Sequence, residues 1–388
     1  MRKIVCLSVF AAAVFGAPSA YAQNSVTLYG VIDVGINWQS NAGGKHLFSM
    51  VDGMAGANRF GLRGTEDLGG GWKTVFVLEN GFYAINGATQ FTGMFGRQAY
   101  VGLSNAQYGM LTLGRQYDSL VDTLQQYSIV VKLGGAMFFH PGDVDNIGDS
   151  HRVNNAIKYT FKRGPLTATA LYSMGGVAGQ SGRNQIWSAG VNYAGPSFSL
   201  GAAYLDVRNP NVSFFPVNNV GASASLDNIG PKPVFSGYAS AATYRVIGLG
   251  GHYVFDPVTF GIVYTNVRFG GLGDTSSGPN PLGYTGSAIF NGVEVSADYR
   301  LSRSLSAGVA YDYTRNNGAS GKGAATYNSV MGGVDYSLSK RTDVYLVGIW
   351  QSMTGVDSAG GSEAQASLFS PSSNGREAII RVAMCHRF

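Results

Sequence analysis

Ala378-Ile379-Ile380-Arg381-Val382-Ala383-Met384-Cys385-His386-Arg387-Phe388 is the stretch that decides the fold. Read at period two, Ala378, Ile380, Val382, Met384, His386 and Phe388 share one face, and Arg381, Ala383, Cys385 and Arg387 share the other. A strand that alternates up to a final aromatic residue is suited to a wall with lipid on one side and a polar lumen on the other. In lipid an unpaired strand edge leaves backbone groups unsatisfied, so such a last strand must pair with the first. The ending predicts a closed antiparallel β-barrel, and with it a pore or a plugged cylinder.

The other end agrees. Arg2 and Lys3 precede the apolar run Ile4 to Gly16, which is too short to span a membrane, and Ala20-Tyr21-Ala22 forms an A-x-A cleavage site. Residues 1–22 are therefore expected to be a cleaved export signal, and residues 23–388 the barrel domain. No later run of 18 or more apolar residues offers a transmembrane helix. Charged residues make up only 13%, with 56 Gly, 22 Tyr and 21 Phe, which suits a barrel with an apolar outside better than a soluble domain. The net charge of +5, of which Arg2 and Lys3 supply two, is too small to argue for nucleic acid, and no basic run with interleaved aromatics appears. Cys6 leaves with the signal, so Cys385 has no partner for an intrachain disulfide.

Alternating segments recur along the chain. They include Val26–Ile36, Arg59–Gly64, Trp72–Phe82, Arg97–Leu103, Gly109–Tyr117, Val153–Phe161 and Leu166–Met174. The later half keeps the rhythm through Trp187–Tyr193, Phe198–Tyr204, and the strands either side of Asp256-Pro257, Ser302-Arg303 and Ser339-Lys340-Arg341. The count is sixteen, even as single-chain bacterial barrels require, with longer loops near 119–151, 206–243, 270–289 and 354–376. Tyr159, Phe161, Tyr193, Tyr204, Tyr299 and Tyr336 end strands where an interfacial girdle belongs. A sandwich core is the other home for such aromatics, but it leaves the long loop in the first third unexplained.

Several stretches together resemble the trimeric general porins of Gram-negative outer membranes, in the branch common in β-proteobacteria. They are Ser25-Val26-Thr27-Leu28-Tyr29-Gly30, Asn58 to Gly69 (NRFGLRGTEDLG), Gly96 to Leu103 (GRQAYVGL), Leu113-Gly114-Arg115-Gln116, Arg152-Val153-Asn154-Asn155 and His386-Arg387-Phe388. The resemblance implies a sixteen-stranded homotrimeric barrel in outer-membrane lipid and lipopolysaccharide. It also implies delivery by the β-barrel assembly machinery, with Phe388 as part of the assembly signal. In that family the long loop after the fifth strand folds into the barrel and narrows it, and residues 119–151 hold that position. The loop carries Asp122, Asp143, Asp145 and Asp149 and would meet a wall bearing Arg59, Arg63, Arg97, Arg152 and Lys158. By parity Arg59, Arg97 and Arg152 face the lumen, because Phe60, Tyr100 and Val153 are assigned outward. Either they form the family's arginine cluster at the constriction, or they merely solvate the wall. Arg115 shares parity with Leu111 and Leu113 and should face outward, against a neighbouring subunit or at a strand end near the interface. Cys385 stands where relatives commonly carry a basic residue, and parity points it inward near the periplasmic rim.

Motifs for enzyme chemistry do not hold together. Ser337-Leu338-Ser339-Lys340 fits S-x-x-K but lies on a strand-to-turn corner without its partner motifs. Asp143-Val144-Asp145-Asn146-Ile147-Gly148 starts like a calcium loop, yet Ile147 and Asn154 fall on ligand positions. Histidines 46, 140, 151, 252 and 386 lack metal spacing, and no helix follows Gly248-Leu249-Gly250-Gly251. No cofactor or metal is expected. The leading expectation is a water-filled channel for small hydrophilic solutes and ions, and a channel with a saturable site for one solute class is the alternative. A barrel-borne enzyme or adhesin would need a nucleophile–base pair or a folded passenger. Cleavage after Ala22 predicts a mature chain starting at Gln23, which intact-mass measurement of protein purified from membranes checks directly.

Overall fold

Residues 24–216 and 222–388 are described by the computed structural model, and the expected export segment 1–22 lies outside them. The first strand, β1 (Ser25–Ala42), is unusually long, and two shorter stretches lie end to end along it. Lys45–Asp52 pairs with its second half, Val34 opposite Asp52, and Arg59–Gly69 pairs with its first half, Val31 opposite Arg59. These two stretches are one interrupted strand, β2, and the sequence reading missed its Lys45–Asp52 part.

The remaining strands are β3 (Trp72–Gly81), β4 (Gln98–Asn105), β5 (Gly109–Gln116), β6 (Val153–Arg163), β7 (Leu166–Ser173), β8 (Ile186–Ala194) and β9 (Phe198–Arg208). They continue with β10 (Thr243–Phe255), β11 (Val258–Leu272), β12 (Gly286–Arg300), β13 (Leu305–Asn316), β14 (Ala325–Ser337), β15 (Thr342–Gly355) and β16 (Arg376–Arg387). Every strand pairs antiparallel with the next, and β16 returns to β1 from Val31 opposite Arg387 to Gln39 opposite Ile379. The sixteen-stranded barrel is closed. Phe388 extends the seam by exchanging backbone hydrogen bonds with Gly30, at 3.1 and 3.0 Å.

Side-chain direction follows from the period of two. On β1 the exposed large apolar residues are Val26, Leu28, Ile32 and Ile36, while Asp33 and Asn37 are buried. On β16 Ile380, Val382 and Met384 are exposed, while Arg381, Ala383 and Cys385 are buried. Apolar outside and polar inside is the reverse of a water-soluble sheet and fits a lipid-facing wall. Trp72 stacks on Tyr108 and Tyr193 on Phe198 near the short-turn end, with ring centroids 5.9 and 5.4 Å apart. Short turns alternate with long connections at 82–97, 117–152, 174–185, 209–242, 273–285 and 356–375; the first and third of these are not among the loops expected from the sequence.

The seam is pinned from inside by a buried ion pair. Arg381 Nη2 lies 2.5 Å from Asp33 Oδ1, and both side chains are wholly inaccessible. Tyr345 of β15 donates to Asp33 Oδ2 at 2.6 Å and accepts from Arg381 Nε at 2.8 Å. Arg381 also reaches Asn37 Oδ1 and the Val51 carbonyl, both at 3.0 Å. Gly35 makes room for this guanidinium, since a Cβ there would sit 2.8 Å from Arg381 Cζ. Replacing one partner strands the other charge away from water, at about 3–5 kcal/mol. Arg381→Met should therefore lower the urea midpoint of the folded barrel sharply. Arg381→Met combined with Asp33→Asn should recover a large part of that loss, and equal losses in the single and double variants would contradict the pairing.

Candidate functional site

The segment 117–152 starts with a short helix, α1 (Ser119–Leu124), capped by Asp118, whose Oδ1 accepts from Leu120 N at 2.8 Å and Val121 N at 3.1 Å. Acceptors at an N-cap satisfy amides that have no partner within the helix. The helix rests on the inward faces of β8 to β10, where glycines leave space for it. A Cβ at Gly190 would overlap Thr123, one at Gly248 would overlap Leu124, and one at Gly201 or Gly250 would overlap the Tyr127 ring. The segment then follows the inner wall round the barrel. Ile129, Leu133, Met137 and Phe138 pack with Ala310 of β13, Met331 of β14, Ile349 of β15 and Ile379 of β16. Ala136 N reaches Met54 O, in the interruption of β2, at 2.7 Å.

Carboxylates on the wall hold this path. Glu294 of β12 accepts from Ser128 Oγ at 2.8 Å and Ile129 N at 2.7 Å. His140 stands among three buried carboxylates: Asp145 at 2.7 Å from Nδ1, with Glu294 and Asp312 of β13 at 3.2 and 3.8 Å from Nε2. Thr265 of β11 donates to Asp145 at 2.9 Å, and Tyr244 of β10 donates to the Val144 carbonyl at 2.7 Å. Burial alone would lower the His140 pKa, but the charge of Asp145, then of Asp312, raises it well above the ordinary value. Burial would raise Asp145, yet the charge of His140 holds it below the usual carboxylate range.

Two of the expected loop carboxylates do not line open space. Asp143 and Asp145 are both buried. Asp143 accepts from Gly148 N at 2.7 Å and Ser150 N at 3.0 Å, so it closes the turn that resembled a calcium loop. Asp145 belongs to the His140 cluster. The other two pair with the basic wall at contact distance and do not oppose it across a gap. Asp122 lies 2.6 Å from Lys158, and Asp149 lies 3.0 Å from Arg152 and 3.9 Å from Arg97.

The basic residues form one connected row. Glu79 of β3, which sequence reading missed, sits 3.6 Å from Arg59 and 2.8 Å from Arg97 and accepts from Tyr29 Oη at 2.9 Å. Tyr117, also missed, accepts from Arg97 and Arg152 at 2.8 and 3.0 Å, with the Arg152 guanidinium 4.9 Å above its ring. Arg97 and Arg152 are buried, whereas the Arg59 side chain is 29% exposed and Arg63 is exposed beside the Tyr29 ring. A recess of about 250 Å³ is lined by Arg59, Arg387, Asp149, Gln125 and residues of the β2 interruption.

Parity misassigned two residues. Val101 and Leu103 are exposed, so Tyr100 points inward, and Val153 is buried inside as well. Arg97 and Arg152 precede their strands, so alternation does not govern them. The ladder between β5 and β6 also slips between Gly114, opposite Ala156, and Gln116, opposite Val153, where Asn155 takes a φ of 51°. Arg115 donates to Gly96 O at 2.8 Å and Asn154 Oδ1 at 2.6 Å, beside the Phe91 ring. Both acceptors are neutral, so the guanidinium is hydrogen-bonded within the chain without a carboxylate in ion-pair range among the described residues. Cys385 faces inward, buried.

Because its native pKa is raised, His140 stabilises most below its unfolded value, roughly 6.5, and that contribution fades as pH rises through the native value. The urea midpoint should therefore fall between mildly acidic and alkaline pH. His140→Gln should cost about 3–5 kcal/mol at acidic pH and flatten this dependence. A variant with an unchanged pH profile would remove His140 from the linkage.

A family model described as Gram-negative porin matches residues 8–349. An outer membrane porin protein of Bordetella pertussis is 30% identical over 379 residues, 90% of this chain and 94% of that protein. Outer membrane porin protein 32 of Delftia acidovorans is 35% identical over 164 residues, 41% of this chain and 45% of that protein. Among solved structures, the anion-selective porin from Comamonas acidovorans covers 94% of this chain and 100% of its own, with a TM-score of 0.71 and 20% identity. The trimer form of OmpT from Vibrio cholerae covers 94% and 99%, with a TM-score of 0.65 and 13% identity. A closed barrel with apolar outer and polar inner faces, matched over nearly its whole length, places the chain in the Gram-negative porin family, the outer-membrane channels for passive diffusion of small hydrophilic solutes.

Proposed function

We propose that the 117–152 segment narrows this channel and that the wall it leaves open favours small anions. The observation that carries the reading is a charge imbalance. Three guanidiniums, Arg59, Arg97 and Arg152, share two carboxylates, Glu79 and Asp149. Lys158 and Asp122 balance each other, and among the described residues Arg63 has no carboxylate in ion-pair range. The surplus positive charge reaches the lumen through Arg59 and Arg63. A ring or row of unpaired cations at a narrow point raises the local anion concentration and sets ionic preference. The name of the Comamonas acidovorans porin, anion-selective, supports the same sign.

In this reading the chain is exported with residues 1–22 removed, is inserted by the barrel assembly machinery using Phe388, and works as a homotrimer in lipid and lipopolysaccharide. The trimer form of the Vibrio cholerae barrel, a similar fold, supports that assembly. A saturable site for one solute class is the second reading, favoured by the Arg59–Asp149 recess, and flux that saturates with solute concentration would select it.

Reversal potential across a salt gradient tests the charge preference. Arg59→Ser with Arg63→Ser should shift selectivity toward cations while the barrel remains folded, since neither side chain is buried. Arg97→Ser or Arg152→Ser should mainly reduce stability, because each leaves a carboxylate without its closest cation. A reversal potential unmoved by the Arg59/Arg63 pair would overturn the assignment.

A further inference from the structure

A water-filled channel calls for polar inward faces, yet the outer ends of β10 to β12 turn Tyr244, Phe269 and Phe290 inward, and all three are buried. Their cover comes from the connection between β9 and β10. Phe215 lies 5.2 Å from the Tyr244 ring, Phe235 lies 5.7 Å from Phe269, and Tyr238 lies 6.2 Å from Phe290. The covering side chains are buried as well.

Polar latches fix this cover in place. Asn316 of β13 donates to Tyr238 Oη at 2.9 Å, Gly237 N donates to Ser358 Oγ at 3.0 Å, and Ser358 Oγ donates to Pro233 O at 2.7 Å. The same connection backs the 117–152 segment. His151 lies 5.3 and 5.1 Å from the rings of Phe214 and Phe215, and a Cβ at Gly142 would meet Phe235 at 3.1 Å.

We infer that residues 209–216 and 226–242 form a second selectivity-determining element, an apolar filling that occupies the outer lumen over β10–β13. Solutes are thereby confined to the side of the barrel where Arg59 and Arg63 stand. The size limit is set by two inward segments packed on each other, and ionic preference follows because the open path runs beside the cationic wall. This inference rests on the channel reading above.

The test compares the parent protein with Phe215→Ser/Phe235→Ser in planar bilayers and in liposome swelling with sugars of increasing size. Apolar packing lost from the lumen should open a wider path, with single-channel conductance at least about doubled and larger sugars admitted. Anion preference should weaken, since part of the flow then passes away from Arg59. Conductance, sugar cut-off and reversal potential all equal to those of a conducting parent would overturn the inference. A parent that conducts nothing would overturn the channel reading instead. If the double variant gives no folded barrel, Phe235→Ala is measured against the same outcomes.

Discussion

Closure between β1 and β16 is the constraint on which the rest depends. In lipid the outer faces contribute nothing to holding strands together beyond their backbone ladders, so an open edge has no substitute partner. The ladder from Val31 to Gln39 supplies the backbone bonds, and Asp33 with Arg381 supplies a buried bond on the inner side of the same seam. Two consequences follow locally. Gly35 must lack a side chain to admit the guanidinium, and β2 must break at residues 53–58 so that Met54 N and Asn58 can hydrogen-bond to Asp33. The break in β2 then provides Met54 as the far anchor of the 117–152 segment. The seam therefore sets where the 117–152 segment is anchored as well as whether the barrel closes.

The inner wall is divided chemically, and the division explains why the segment takes its course. From β8 to β10 the inward positions include glycines that admit the side chains of Thr123, Leu124 and Tyr127, and β12 and β13 present Glu294 and Asp312. Acceptors there take the segment's amides, its Ser128 hydroxyl and its His140. The wall from β2 to β6 carries the cations instead, so the segment's acidic ends, Asp122 and Asp149, are drawn to that side. Short ion pairs of this kind are worth more inside a narrow, partly dehydrated lumen than on an open surface.

The barrel was legible in the sequence because its information is periodic. Alternation along β1 and β16, the count of sixteen and four of the long connections follow from period two and from turn residues, whereas the connections at 82–97 and 174–185 were missed. The site was less legible, for reasons that differ residue by residue. Alternation says nothing about Arg97 and Arg152, which sit just before their strands, and the slip near Gly114 and Asn155 turns Val153 inward. Asp143 reads like a solvated loop acid, but its acceptors are used by Gly148 and Ser150, a local closure that only the folded backbone defines. His140 looked isolated because its partners Glu294 and Asp312 are more than 150 residues away. Glu294 did carry a usable signal. A carboxylate between Val293 and Val295 on a barrel strand points inward, where it needs a donor.

The form of the charge pairing decides what a passing ion senses. Two walls of opposite sign across a lumen would produce a transverse field, whereas pairs in contact behave as small dipoles whose influence dies off within a few ångströms. Here Lys158 and Asp122 are in contact, and Arg152 and Asp149 are in contact, so neither pair projects far into the water. Among the described residues Arg63 has no such partner, and Arg59 only shares Glu79 with the nearer Arg97. The potential of an uncompensated charge is screened over roughly 8 Å at physiological ionic strength. One or two such cations facing the lumen can therefore bias passing ions under the proposed reading, while the paired charges hold the 117–152 segment to the wall.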